Sequence, residues 1–170
     1  MQNMNIPAYV FATVNPVHAK KVVEELNKNE NIDLVAPVTG RFDLALRIKQ
    51  TNPEQIYQIV KWIRQVPGVQ STQTLFGFNG FQNGMTIQSR MPLGISLFNV
   101  TSPVETVISQ LKSFPGLVEA WTVPGQFDIV ALWQAKTADE IAKATFEKFP
   151  TLQGIAKSET LLAYAPIFKA

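Results

Sequence analysis

Two short stretches hold the residues best suited to chemistry. The first reads Val38-Thr39-Gly40-Arg41-Phe42-Asp43, and the second reads Val123-Pro124-Gly125-Gln126-Phe127-Asp128. In each, a glycine flanked by β-branched and aromatic residues marks a tight turn, where the backbone must bend or take a positive φ. Asp is depleted in strands, so its return at the same offset from the glycine indicates a polar task. Two tasks are open: Asp43 and Asp128 cap their own turns through backbone hydrogen bonds, or they face a ligand. Thr72 and Thr74 lie at i and i+2 of a later strand, which puts both hydroxyls on one face. Ser158 and Thr160 hold the corresponding places in the second half. A carboxylate beside hydroxyls and exposed turn amides suits a small zwitterion, with Asp for the ammonium and the amides and hydroxyls for the carboxylate. The same Thr and Ser are also ordinary strand residues of good β-propensity.

Catalytic constellations are poorly supported. His18 is the only histidine, and no titratable group sits at a spacing that would pair with it. Near the start of a helix it reads as a surface residue. The chain has no zinc motif, Walker A sequence, GxGxxG or GxSxG. Trp62 lies off the apolar stripe of its helix and Trp133 lies in a strand, so packing or a protein interface explains both better than a cofactor box. The residues thus predict a protein that is not an enzyme and needs neither metal nor cofactor.

The totals agree with a binding module. A chain of 170 residues with 46% apolar and 16% charged residues suits one large domain or two small ones with a sizeable core. No apolar run approaches a membrane span, and Met-Gln-Asn-Met-Asn lacks the basic and apolar segments of a signal peptide. With no cysteine, disulfides, thiol catalysis and Cys-based metal sites are excluded. A cytoplasmic protein without membrane contact is the simplest expectation. Net charge is +2, and the Lys and Arg residues are scattered rather than striped, so direct nucleic-acid binding is not expected.

The elements that must position the two turns repeat along the chain. Ile6 to Val14 reads as a strand, and Asn15-Pro16 as a helix start with Asn as N-cap. Two strands then meet at Gly40. In the second of them, Phe42, Leu44, Leu46 and Ile48 alternate with Asp43, Ala45, Arg47 and Lys49, the period of a two-faced sheet. Asn52-Pro53-Glu54-Gln55 caps a second helix, whose stripe is Ile56, Ile59, Val60 and Ile63. A strand from Val69 to about Phe78 completes a βαββαβ, ferredoxin-like unit. The Gly- and Asn-rich residues 79–91 read as a linker between a first repeat, 1–78, and a second, 92–170. The second repeat has a strand from Leu93, a helix capped by Ser102-Pro103-Val104-Glu105, two strands meeting at Gly125, a helix capped by Thr137, and a strand from Thr151 to Ala165. Gly68 to Thr74 aligns with Gly154 to Thr160 without a gap.

Burial adds a constraint. A ferredoxin-like unit covers one sheet face with its helices and leaves the other bare, yet strands such as Asp128 to Trp133 are apolar on both faces. The two repeats are therefore expected to pack sheet on sheet as an α+β internal pseudo-dimer of the dimeric α/β barrel type.

These features resemble the effector-binding domain of the Lrp/AsnC, or feast/famine, family of bacterial and archaeal regulators. The resemblance rests on the βαββαβ order, the Val-Thr-Gly-Arg-Phe-Asp turn and the strand entry Pro67-Gly-Val-Gln-Ser-Thr-Gln-Thr74, with weaker counterparts in the second half. It implies a dimeric sandwich that assembles further and binds amino acids or related small molecules. The implied first site is Gly40, Arg41, Phe42, Asp43, Thr72 and Thr74, and the second is Gly125, Gln126, Phe127, Asp128, Ser158 and Thr160. Pro124 removes a hydroxyl and Gln126 replaces Arg41, so the two sites need not take the same ligand. Family transcription factors carry a helix-turn-helix before this domain, whereas here the first strand starts within the first ten residues. The expectation is a stand-alone, oligomeric sensor of an amino acid or similar metabolite, acting through protein contacts on full-length relatives or other regulators. The alternatives are a small enzyme of the dimeric α/β barrel group, monooxygenase- or isomerase-like, and an assembly scaffold with degenerate sites.

Overall fold

A computed structural model describes residues 4–169. The first repeat runs β1 (Ile6–Val14), α1 (Ala19–Asn27), β2 (Ile32–Pro37), β3 (Leu44–Thr51), α2 (Pro53–Gln65) and β4 (Val69–Phe76). β5 (Phe78–Gln82) follows. The second repeat runs β6 (Leu93–Val100), α3 (Val104–Leu111), β7 (Leu117–Thr122), β8 (Ile129–Gln134), α4 (Ala138–Glu147) and β9 (Ile155–Ala163), and β10 (Ile167–Phe168) comes last. Three of the four sequence-predicted caps form. Asn15 Oδ1 accepts from the Val17 amide at 3.1 Å, ahead of a single 3-10 turn over Pro16–His18, and Asn52 Oδ1 accepts from Gln55 at 2.8 Å. Thr137 Oγ1 accepts from Glu140 at 3.1 Å, while Glu140 Oε2 reaches back to the Lys136 amide. Ser102 does not cap α3, because the chain stays extended through Pro103 and the Ser102 side chain packs against Gly154 instead.

The fold is α+β, with two five-stranded antiparallel sheets ordered β10-β2-β3-β1-β4 and β5-β7-β8-β6-β9. Alternation along the strands builds three cores. One lies between the sheets, with Phe11, Leu34, Ile95, Leu97, Phe127, Val130, Leu132 and Leu161 among its members. The other two lie under the helix pairs, around Val22, Leu26, Ile56 and Ile63 in the first repeat and around Phe98, Leu111, Phe114, Trp133 and Phe149 in the second. Each fully buried large aliphatic or aromatic side chain contributes ~1.5–3 kcal/mol. Residues buried between the sheets therefore weld the repeats into one body.

Strand exchange adds a second weld. β5 runs from Phe78, the last residue of the predicted first repeat, into the stretch 79–91 that the sequence reads as a linker, and it pairs with β7 to form the edge of the second repeat's sheet. β10 makes the reciprocal move and pairs with β2 in the first sheet. The last long strand starts at Ile155 rather than Thr151, because Phe149–Thr151 form another 3-10 turn. No helix among the described residues is long and apolar enough to cross a membrane.

Candidate functional site

The two glycine turns adopt the geometry that their composition demands. Gly40 has φ 132° and Gly125 has φ 136°, values that residues with a Cβ avoid. Each Asp then anchors the neighbouring strand rather than its own turn. Asp43 Oδ2 accepts from the Val14 amide at 2.8 Å, and Asp128 Oδ2 accepts from the Val100 amide at 2.9 Å. The reason lies in the ladder. β1 pairs with β3 only as far as Ala12 with Leu44, and β6 with β8 only as far as Phe98 with Ile129. The Val14 and Val100 amides lie beyond those last pairs on the same side of the strand, and each Asp carboxylate supplies the missing acceptor. One oxygen of each carboxylate is thereby committed to the fold.

The residues between Gly and Asp reach across to the other repeat. Arg41 grips Glu159 of β9 with two bonds, Nε to Oε1 at 2.6 Å and Nη2 to Oε2 at 2.7 Å, while its guanidinium lies over Phe42 and Phe127. Hydrogen bonding to Glu159 raises the Arg41 pKa above its ordinary value. Gln126 makes a lighter version of this contact, accepting from Gln73 Nε2 of β4 at 2.6 Å. Thr72 and Thr74 point the other way. They pair with Ala12 and Val10, whose side chains face the helices, so their hydroxyls face the helices too. Ser158 and Thr160 do the same opposite Phe98 and Ser96. The Thr160 hydroxyl lies 2.8 Å from that of Ser96, which accepts from Trp133 Nε1 at 2.8 Å. In each repeat, then, the turn side chains Arg41, Phe42, Gln126 and Phe127 face the seam between the sheets, and the strand hydroxyls face the helix layer. The single chain does not bring them around one cavity.

Asp43 does line a cleft of about 590 Å³ together with Val14, Pro16, Ala19, Lys20, Val23, Glu24, Pro37 and Leu44. Its walls are mostly apolar, with Lys20 and two carboxylates as the charged groups, a set able to take the two ends of a zwitterion. A larger groove of about 840 Å³ runs along the outer side of α1 and α2, past His18, Lys21, Glu24, Trp62 and Gln65. His18 is exposed there, as its sequence position predicts.

Sequence reasoning missed a buried polar cluster between the sheets. Arg47 Nε and Nη2 donate to the Asp33 carboxylate at 2.9 and 3.0 Å, and Nη1 donates to Glu119. Tyr9 donates its hydroxyl to the other Glu119 oxygen, which also accepts from Trp121 Nε1 at 2.7 Å. Tyr9 and Glu119 are buried, and the Phe168 ring of β10 covers the guanidinium. Burial, and next the adjacent Glu119 charge, push the Tyr9 pKa well above 10. Burial opposes the charge on Arg47, but the hydrogen bond to Asp33 and the Glu119 charge outweigh it and leave its pKa raised. The signal in the sequence was a charge in the apolar run Leu117-Val118-Glu119-Ala120-Trp121. Arg47 was hidden because alternation placed it on a face that looked polar.

The Lrp/AsnC ligand binding domain model matches residues 7–85, the span from β1 through β5. The first repeat is therefore similar to the Lrp/AsnC ligand-binding domain. Over 61 residues the chain is 30% identical to an uncharacterized HTH-type transcriptional regulator of Pyrococcus furiosus, a match spanning 36% of this chain and 41% of that protein. The chain thus matches less than half the length of that relative. Among solved structures it resembles the siroheme decarboxylase NirDL in complex with an iron-uroporphyrin III analogue, at TM-score 0.73 and 12% identity, covering 96% of this chain and 72% of that one. It also resembles a mutant chlorite dismutase from Candidatus Nitrospira defluvii, at TM-score 0.62 and 10% identity, covering 96% and 92%. At such identities the likeness establishes a shared fold.

One expectation is corrected by these neighbours. The sequence predicts a protein that is not an enzyme, yet solved structures that share its fold, a siroheme decarboxylase and a chlorite dismutase among them, are enzymes. The prediction failed because it relied on local motifs. In this architecture reactive side chains can be gathered from separate strands, as Tyr9, Arg47 and Glu119 are gathered here from β1, β3 and β7.

Proposed function

We propose that the chain is a ligand-sensing module that binds an amino acid or related small metabolite and passes the signal on through protein contacts, to full-length Lrp/AsnC relatives or other regulators. The observation that supports this most directly is the cleft beside the first glycine turn, where Asp43 and Lys20 flank apolar walls in the half that matches the Lrp/AsnC ligand-binding domain. Lys20 would take the ligand carboxylate, and the free Asp43 oxygen with Glu24 would take its ammonium. Val23, Leu44 and Pro37 would select an apolar side chain.

The test is a thermal-shift panel of the amino acids and common nucleotides, with calorimetry on each hit. A ligand at about a hundred times its dissociation constant adds roughly 2.7 kcal/mol of stability. A selective shift that Lys20→Ala abolishes supports the reading. A flat panel, or a hit insensitive to Lys20→Ala, sinks it.

The Tyr9–Glu119–Arg47 cluster favours a second reading, an enzyme whose chemistry uses these buried groups. Its test adds an iron-porphyrin to the panel. A stoichiometric change in the Soret band that is lost in Arg47→Met would support it, and an unchanged spectrum would count against a tetrapyrrole substrate.

A further inference from the structure

Each of the two sheets ends in two edge strands, and a bare edge templates pairing with another chain unless it is blunted. Three of the four edges here are protected. β10 is only two residues long. β5 is broken by Asn79 at φ 43° and by a pairing slip between Phe78 and Phe81. β9 carries Lys157 and Glu159, and its outer side is occupied where Leu162 O accepts from the Thr39 amide at 3.0 Å.

β4 has none of these devices. Its eight residues, Val69-Gln70-Ser71-Thr72-Gln73-Thr74-Leu75-Phe76, contain no charge and no proline. The phase of its hydrogen bonds follows from Gly77, whose amide donates to Pro7 O at 2.9 Å. Alternation then turns Ser71, Gln73 and Leu75 toward β1 and leaves the N–H and C=O groups of Gln70, Thr72 and Thr74 pointing outward. Among the described residues, nothing meets them with a backbone hydrogen bond. One substitution between the repeats adds to this at Phe76, the counterpart of Leu162. Thr39 uses its amide to pin β9, and its counterpart is Pro124, which has no amide to give. Gly40 presses so closely on Leu161 that an added Cβ would lie 2.6 Å from Cδ2, while nothing lies within 4 Å of the corresponding point on Gly125. The first turn holds one outward carbonyl of β9, that of Leu162, and the second turn holds none of β4.

We propose that β4 pairs with β4 of a second copy of this chain, antiparallel about a two-fold axis, joining two five-stranded sheets into one of ten. A second copy fits because the strand is uncharged and so does not repel itself, and its Gln, Ser and Thr side chains can pair across the axis. The two-fold also consumes the one unguarded edge of each chain, so the assembly closes at two rather than growing into a fibre. The sheet continues an established pattern of the molecule, which already extends each sheet with a strand from the other repeat. The proposal does not depend on which ligand the clefts take.

Sedimentation velocity on the full chain at micromolar concentration tests it, with hydrogen exchange on the same samples. Wild type should run at twice 18.9 kDa, and the amides of Gln70, Thr72 and Thr74 should be protected, losing that protection on dilution into monomer. Thr72→Pro, which removes an outward amide, and Gln70→Lys, which puts a charge on the edge that the partner strand would cover, should each shift the species to monomer with unchanged circular dichroism. If Thr72→Pro does not fold, Gln70→Lys and the exchange data decide. A monomeric wild type with those amides exchanging freely overturns the proposal in favour of a strand from another protein. A dimer that survives both variants overturns it as well.

Discussion

Thr39 and Leu162 come from different repeats, yet they share a backbone hydrogen bond of 3.0 Å, which with the Arg41–Glu159 pair ties the first turn to β9. At the second turn Pro124 and Gln126 stand in the places of Thr39 and Arg41, so the pseudo-dimer is firmly tied at one end and lightly at the other. Arg41→Gln converts the first turn toward the second. Arg41 is about half exposed, with its side chain at 49%, so solvent screening limits the ion pair to about 0.5 kcal/mol. Urea unfolding should show a loss of that size in low salt and a smaller one in 0.5 M salt, roughly as screening requires. A loss above about 2 kcal/mol would mean that the pair acts as a buried one.

The glycines of the two turns should differ in the same sense. Both sit at φ near 130°, so Ala at either place strains the backbone by about 1–3 kcal/mol. Only Gly40→Ala also drives a methyl into Leu161, and overpacking adds about 1–3 kcal/mol more. Chemical denaturation of the two variants should therefore rank Gly40→Ala clearly below Gly125→Ala. Equal losses would show that Leu161 gives way freely.

The asymmetry also shows what the residues alone could convey. Element order, the repeat and the sheet-on-sheet packing were legible because they rest on local periodicity and on strands apolar on both faces. β5 was not legible, since Phe78 and Phe81 sit in a Gly- and Asn-rich run, and only the bare edge of β7 in the other repeat makes that run a strand. The direction of Thr72 and Thr74 relative to Arg41 was equally hidden. Hydroxyls at i and i+2 share a face, but which face depends on their register with Ala12 and Val10. The cluster around Glu119 needed three strands from two repeats, and no spacing along the chain encodes that.

Asp43 and Asp128 should be costly to replace whether or not a ligand binds. Each carboxylate holds an amide beyond the end of a strand ladder, and a hydrogen bond to a charged group contributes about 1.5–3 kcal/mol. Asp43→Ala and Asp128→Ala should each lower ligand-free stability by an amount in that range in urea titrations. Loss of less than about 0.5 kcal/mol would free both residues from a structural role and return them to the ligand.

Tyr9 gives the chain a stability that fails in alkali. Its pKa is raised by burial and by Glu119, while in the unfolded chain it titrates near its ordinary value of about 10. Below that value both states keep the proton, and the contribution is whole. As pH rises above about 10 the unfolded state ionises first, so stability falls by up to about 1.4 kcal/mol per unit until the folded pKa is reached. Tyr9→Phe cannot ionise and lacks the bond to Glu119, so it should be less stable than wild type at neutral pH by roughly 1.5–3 kcal/mol. The two stability curves should then converge as pH climbs from 9 toward 11, by about the slope given above. Ultraviolet titration gives an independent check among the three tyrosines. Tyr57 and Tyr164 are exposed, so in the double variant Tyr57→Phe/Tyr164→Phe the remaining phenolate is that of Tyr9, and it should form only with unfolding. Parallel curves, or a Tyr9 phenolate formed reversibly in folded protein, would show that the cluster between the sheets is open to water.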